Sequence, residues 1–236
     1  MSTHIGATRG EIAPTVFLPG DPRRAAWIAR KFLKNPMQYN TVRNMDGHTG
    51  WAPNGKLVSV QGSGMGMPSL SIYVHELAYD FGVERIIRVG SAGALQADMH
   101  TRDIVIAQGA CSNAGTNNRR FGGLQYAALP DQMLFRDAVA AAHALEIPVR
   151  VGNVWSTDLY YNDINPDEWK LWAKHGTLAV DMETSELYTL GAKKEKGFQA
   201  LALLTISDVL PTGEELNADD RERTFGDMMK IALAIA

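Results

Sequence analysis

The chain has 236 residues, 45% of them hydrophobic and 21% charged, with a formal net charge of −3. That length suits one large α/β domain or two small ones with a sizeable core, and the balance of charge provides no broad basic field for a nucleic acid. A single cysteine, Cys111, excludes an intrachain disulfide and a thiolate metal site.

Apolar strand-like runs alternate with helical patterns from end to end. Residues 16–18 predict a strand, followed by Pro19-Gly20-Asp21-Pro22 and a helix over 24–32. Residues 57–60 predict a second strand, then a Gly/Met-rich turn at 62–67 and a helix over 69–80. A strand over 85–89 leads into Gly90-Ser91-Ala92-Gly93, read as a turn. A strand over 104–107 is followed by a polar, Gly-rich stretch at 113–129. That stretch is long for a connection and reads as an excursion, an oligomer contact or a loop over the site. An Ala-rich helix over 134–145, a strand over 149–155 and a helix over 167–175 come next. A short strand at 178–182 passes into a helix over 183–196, then a strand over 201–206 and a last helix over 219–236. The alternation predicts an α/β fold with three layers, a central mixed, mostly parallel twisted sheet flanked by helices. With no break in composition, residues 1–236 are expected to form one domain.

The six histidines show no metal-ligand spacing. No apolar stretch is long enough to span a bilayer, and the N-terminus lacks a basic-then-apolar signal pattern. The expected setting is the reducing cytoplasm.

Four strand ends carry unusual residues. Gly20 allows close approach of a ligand to the backbone, and Arg24 opens a helix, where the dipole disfavours a cation. A bound anion would explain Arg24; a solvated surface Arg is the plainer reading. Arg88 lies inside the apolar run Ile86-Ile87-Arg88-Val89 and needs a partner if buried. With Ser91 and the adjacent glycines it makes a phosphate cradle; an edge-strand Arg facing solvent is the alternative. The Walker and dinucleotide patterns are absent, which gives ATP and NAD no support. In Val180-Asp181-Met182-Glu183, two carboxylates share a face, and Glu183 can accept both hydroxyls of a ribose; otherwise it is a helix first-turn acid. Finally, the apolar run 203–206 ends in Ser207-Asp208. Ligands of parallel sheets bind beyond the carboxyl ends of strands, and a carboxylate with apolar walls there can hold a proton near neutral pH. Asp208 is thus either a general acid or a cap of the next helix. Arg221 either assists it or is one more solvated charge. Tyr160 and Tyr161 are packing residues or a base-stacking wall.

These segments, taken in order, resemble the purine nucleoside phosphorylases of the bacterial hexameric type. The matching pieces are His4, Pro19-Gly20-Asp21-Pro22 with Arg24, Val42-Arg43, residues 64–69, Ile87-Arg88-Val89-Gly90-Ser91, Arg119 with Phe121, Val151-Gly152-Asn153, Asp158-Leu159-Tyr160-Tyr161, Val180-Asp181-Met182-Glu183, Thr205-Ile206-Ser207-Asp208 and residues 227–233. The resemblance implies phosphorolysis of purine (deoxy)nucleosides to free base and (deoxy)ribose 1-phosphate, in purine salvage, with phosphate as a substrate and no metal or organic cofactor. It implies a phosphate site of Gly20, Arg24, Arg88 and Ser91, with Arg43 supplied by a neighbouring subunit. The nucleoside side would comprise Met65, Tyr160, Val180, Asp181, Met182, Glu183 and Ser207, with a neighbour's His4 at the 5′-hydroxyl. Asp208 would act on N7 with Arg221 as helper, in a homohexamer built as a trimer of dimers.

The chain departs from that pattern at Asp181, where Glu is usual, at Ala92, where Cys is common, and at Val209 and residues 210–213. The last of these lie near the base, so they bear on the choice between 6-amino and 6-oxo purines. Three rivals differ in what they need. A nucleosidase of the same fold, acting on methylthioadenosine or adenosylhomocysteine, uses water and does not require Arg24, Arg43 and Arg88 together. A uridine phosphorylase has no N7 to protonate. A non-catalytic nucleoside-binding protein has no use for Asp208.

Overall fold

Side chains alternate between two faces along the central strands, and each face is apolar. In the computed structural model, which describes residues 2–217 and 225–236, β1 (Thr15–Leu18) is buried throughout. It points Val16 and Leu18 to one face and Phe17 to the other. The first face is covered by α2 (Met67–Tyr79) and α6 (Thr184–Gly191), through residues such as Leu70, Leu77 and Leu187. The second is covered by α1 (Pro22–Phe32), α4 (Gln132–Ala144) and α7 (Gly226–Ala234), through Ile28, Leu134 and Met228. Near-continuous apolar strands are what a sheet buried on both sides requires.

β1 pairs in parallel with β4 (Leu57–Gln61) on one side and with β5 (Arg85–Ala94) on the other. β5 then runs parallel to β9 (Gln199–Val209), from the Arg85–Gln199 pair to the Ala94–Val209 pair. The expected α/β fold with a mixed sheet between helices is what the chain adopts. Its parallel centre is β4-β1-β5-β9. Antiparallel contacts come from β3 (Gly47–Trp51) against β4, from β2 (Lys34–Asn40) at one edge and from β10 (Glu214–Glu215) at the other. The outer ribbon of β2 and β3 was not expected, because β2 is polar, mostly exposed and interrupted by Pro36.

The sheet also closes on itself. β6 (Ile104–Ser112) pairs antiparallel with β9 and parallel with β7 (Arg150–Ser156). β7 pairs with β8 (Ala179–Asp181), which returns to β5 at Gly93 and Ala94. This ring gathers the carboxyl ends of β5, β8 and β9 around one opening.

Several expected boundaries shift. The strand read as ending at Val89 continues through Ala94, so Gly90-Ser91-Ala92-Gly93 is strand and not turn. The strand over 201–206 extends to Val209 and includes Ser207 and Asp208. The helix over 183–196 is shorter: Glu183 precedes it and it ends at Gly191. The chain then reverses tightly, since a Cβ on Gly197 would lie 2.2 Å from the Lys193 carbonyl oxygen. The start of the last expected helix lies outside the described residues. The polar stretch at 113–129 contains a short α3 (Gly115–Arg120) bolted to α6: Arg120 donates twice to Glu186, both at 2.7 Å, and Asn117 donates to Ser185 at 2.9 Å.

Candidate active site

Above the carboxyl ends of β5, β8 and β9 opens a cavity of about 960 Å³. It gathers Gly20 and Arg24 from the turn into α1, Met65, Arg88 and Ser91 from β5, Tyr160, Val180 through Glu183, and Ser207 and Asp208. The first turn of α1 is fixed locally. Asp21 accepts from the Arg23 N–H at 2.8 Å and Pro22 stands at the first helical turn, a pairing of cap and proline that starts helices. It sets Arg24, only 6% exposed, at the cavity and over the Phe225 ring, 3.9 Å from its centroid.

Arg88 is 4% exposed on the face covered by α6. Its Nε donates to Asp181 Oδ2 at 3.1 Å and its Nη2 donates to Glu183. Its Nη1 is buried and has no hydrogen-bond partner among the described residues. An unsatisfied buried donor is costly, and an anion in the cavity would satisfy it. Burial alone would lower the Arg88 pKa; Glu183 and Asp181 outweigh that effect and push it up. Room for the guanidinium depends on Gly90, because a Cβ there would sit 2.8 Å from Arg88 Cζ.

Glu183 stands just before α6. Its Oε1 accepts from the Gly66 N–H at 2.6 Å, and its Oε2 accepts from the Met182 N–H at 3.2 Å as well as from Arg88. Gly66, at φ 86, has a backbone conformation that favours glycine and lets its N–H be presented there. Burial raises the Glu183 pKa, Arg88 opposes this, and the nearby Asp181 charge adds to the rise. One guanidinium cannot balance two buried carboxylates.

Asp181, expected on the nucleoside side, lines the cavity and is held by several donors. Its carboxylate accepts from Ser156 Oγ at 2.6 Å, Thr184 Oγ1 at 2.7 Å, the Thr184 N–H at 3.1 Å and Arg88. Its side chain is fully covered. These bonds tie it to Arg88 and the first turn of α6, at the wall of the same cavity.

Asp208 sits in β9, half-buried, opposite Gly93 of β5. Among the described residues no helix starts at it: Val209 and a turn into β10 follow. Ser207 Oγ donates to Asp208 Oδ1 at 2.7 Å. A Cβ on Gly93 would lie 2.7 Å from Asp208 Oδ2, so glycine there makes room for the acid. Tyr160 and Met65 are 61% and 81% exposed at the cavity mouth. Arg221 lies outside the described residues.

His4 and Arg43 do not line the cavity. His4 Nδ1 lies 2.6 Å from Glu76 Oε1, and the N–H groups of His4 and Ile5 donate to Glu76 at 3.0 and 3.1 Å. Arg43 is exposed in a tight turn at Val42–Asn44, with φ 56 at Arg43 itself and φ 57 at Asn44. It acts electrostatically on Tyr73 of α2, whose ring meets that of His4 edge to face at 6.3 Å. The two residues thus share a separate surface beside α2.

The cavity has a wall that the sequence reading passed over, including Trp155, Thr157, Asn162 and Trp169. Glu168 organises it by accepting from Asn113 Nδ2 at 2.8 Å and Asn162 Nδ2 at 2.9 Å. The density of Trp and Asn over 155–169 was the available signal.

Residues 14–236 match the phosphorylase superfamily. The chain is similar over its whole length to proteins named purine nucleoside phosphorylase DeoD-type. The one from Clostridium novyi is 51% identical over 236 residues, with all of both chains covered. That from Caldanaerobacter subterraneus is 52% identical with the same coverage. That from Oceanobacillus iheyensis is 49% identical over 99% of this chain and 98% of its own.

Glu76 generates a prediction about the N-terminal arm. Its burial would raise the carboxyl pKa, but hydrogen bonds from Ser2 and His4 reverse this and hold it below the ordinary carboxylate range. A carboxyl lowered on folding contributes stability above its unfolded pKa of about 4.3, and the contribution is lost as pH falls through the folded value. Amide protection at residues 3–5 should therefore collapse on acidification below about pH 4 before that of β5 does. In Glu76→Gln it should be low already at pH 7. Equal protection of the arm at pH 3 and pH 7 would show that the carboxylate does not hold it.

Proposed function

This chain belongs to the phosphorylase superfamily, and we propose that residues 1–236 form one catalytic domain cleaving the N-glycosidic bond of purine (deoxy)ribonucleosides with phosphate. The products are the free base and (deoxy)ribose 1-phosphate, a reaction of purine salvage. The observation that carries this reading is the buried Arg88, with Nη1 unpartnered among the described residues, lining the same cavity as the carboxyl group of Asp208.

The roles follow from charge. Phosphate binds Gly20, Arg24, Arg88 and Ser91, completed by Arg43 from a neighbouring subunit. Glu183 accepts the ribose hydroxyls between Met65 and Met182, with Ser207 nearby and a neighbour's His4 at the 5′-hydroxyl. The base lies against Tyr160 and Val180. Glycosidic cleavage passes through an oxocarbenium-like sugar, which the phosphate dianion stabilises and attacks. The C1′–N9 bond breaks, a C1′–O bond to phosphate forms, and Asp208 donates a proton to N7, a general acid assisted by Arg221. No metal or organic cofactor enters these steps. The separate surface carrying His4 and Arg43 supports a homo-oligomer with shared sites, in our reading a hexamer built as a trimer of dimers, working in the cytoplasm.

Base release should depend on phosphate or arsenate. Arg88→Lys keeps the charge but loses the guanidinium fork. It should raise the phosphate KM by roughly 10–100-fold, the scale of a charge-assisted hydrogen bond, with a much smaller effect on the nucleoside KM. Equal turnover in phosphate-free buffer would replace phosphorolysis with hydrolysis.

Asp208→Asn should lower kcat by roughly 10²–10⁴, the range for general acids. The loss should be smallest on 7-methylguanosine, whose base leaves without a proton. An equal loss on both substrates would remove the proton-donor role.

Shared sites predict complementation. Arg43→Ala damages the donor side and Asp208→Asn the acceptor side. Co-expressed, mixed oligomers contain some intact sites, so their activity should exceed the summed activities of the separate variants. Demonstrably mixed oligomers with only summed activity would exclude a shared site.

A further inference from the structure

The β6–β9 ladder stops at a point that its strands do not explain. Its register pairs Ile104 with Thr205, Val105 with Leu204 and Ile106 with Leu203. The next pair in that register is Ala107 with Ala202, and it is bridged by a side chain. The Tyr188 hydroxyl donates to the Ala107 carbonyl oxygen at 2.6 Å and accepts from the Ala202 N–H at 3.1 Å. At the same place β6 breaks register with β7, between Ala107 and Gly109. Tyr188 is fully buried, and its hydroxyl takes the position of a strand group.

The contacts around Tyr188 close a loop. Ala202 stands opposite Arg88 in the β5–β9 ladder. Tyr188 belongs to α6, whose first turn follows Glu183 and is held by Asp181 through the Thr184 N–H. Asp181 and Glu183 grip the Arg88 guanidinium. The path therefore runs from the Arg88 backbone across to Ala202, through the Tyr188 hydroxyl into α6, and back through two carboxylates to the Arg88 side chain. We propose that Tyr188 is a positioning residue for the phosphate site. By fixing how far α6 stands from β9, its hydroxyl fixes where Asp181 and Glu183 hold the guanidinium relative to its own strand. This inference rests on the reading of Arg88 as a phosphate ligand. Burial pushes the Tyr188 phenol far above its ordinary value, with the Ala202 N–H opposing, so it stays a neutral donor.

The experiment compares wild type, Tyr188→Phe, Arg88→Lys and the double variant, with inorganic phosphate as the probe and thermal unfolding followed alongside. Tyr188→Phe should raise the phosphate KM by roughly tenfold, within the scale of a displaced ligand, with the nucleoside KM changed less than about twofold. Because Tyr188 acts through Arg88, the two variants together should raise the phosphate KM by less than the product of the single effects. A fall in melting temperature with both KM values unchanged, both rising together, or a multiplicative double variant would overturn the positioning role. If Tyr188→Phe does not fold, hydrogen exchange in wild type decides: phosphate should slow exchange over 184–191 and 200–204, and no slowing there overturns the inference. Phosphate-independent turnover of wild type would instead sink the phosphorylase reading on which the inference rests.

Discussion

A dehydrated cation inside a strand governs this structure. Arg88 occupies a position that sequence and sheet would otherwise give to an aliphatic residue, and burying a guanidinium requires partners within hydrogen-bond reach. Asp181 and Glu183 supply them. The consequences spread outward: Gly90 must lack a side chain, α6 must start where both carboxylates face β5, and the loop at Gly66 must lend Glu183 an N–H. Replacing such an ion pair by apolar residues is often neutral or stabilising, whereas removing one partner costs about 3–5 kcal/mol. Here the pair leaves one guanidinium donor, Nη1, without a partner among the described residues.

The closure of β5, β9, β6, β7 and β8 into a ring gives that arrangement its setting. Strand ends that would be spread along an open sheet converge on one cavity, with the cation and Asp208 on its walls. The cavity has apolar wall at Val180, Met182 and Trp155 and charged or polar side chains over much of the rest, among them Arg24, Arg88, Glu183 and Asp208. Glycines at 90 and 93 serve here as gaps for Arg88 and Asp208 within a strand.

The N-terminal arm and the turn at Arg43 obey a different constraint. Glu76, nearly buried on α2, collects backbone and side-chain donors from residues 2–5 and sets His4 beside Tyr73. Arg43 holds a left-handed backbone conformation, which is strained for a residue with a side chain. Both features present charged or polar groups outward, on a surface that the chain's own cavity does not use.

The amino-acid sequence by itself determined the alternation of strands and helices, because apolar periodicity is a local property of the chain. It also marked Gly20, Arg24, Arg88, Glu183 and Asp208, since glycines and charged residues within or just beyond apolar runs stand out without any knowledge of contacts. It could not separate Asp208 as a cap from Asp208 as an acid, nor Arg88 in a core from Arg88 at an edge, because each alternative has the same local pattern. Tertiary structure places Asp208 inside β9 on the cavity wall, and it sets β5 between β1 and β9 with Arg88 buried on the face covered by α6. The glycines at 90 and 93 were misread as a turn for the same reason, since a missing Cβ looks alike in a turn and beneath a neighbour's side chain. The assignment of Asp181 to Arg88 and the Tyr188 bridge were invisible in sequence, because they depend on contacts between residues tens of positions apart. Those contacts exist only once the ring of strands has closed.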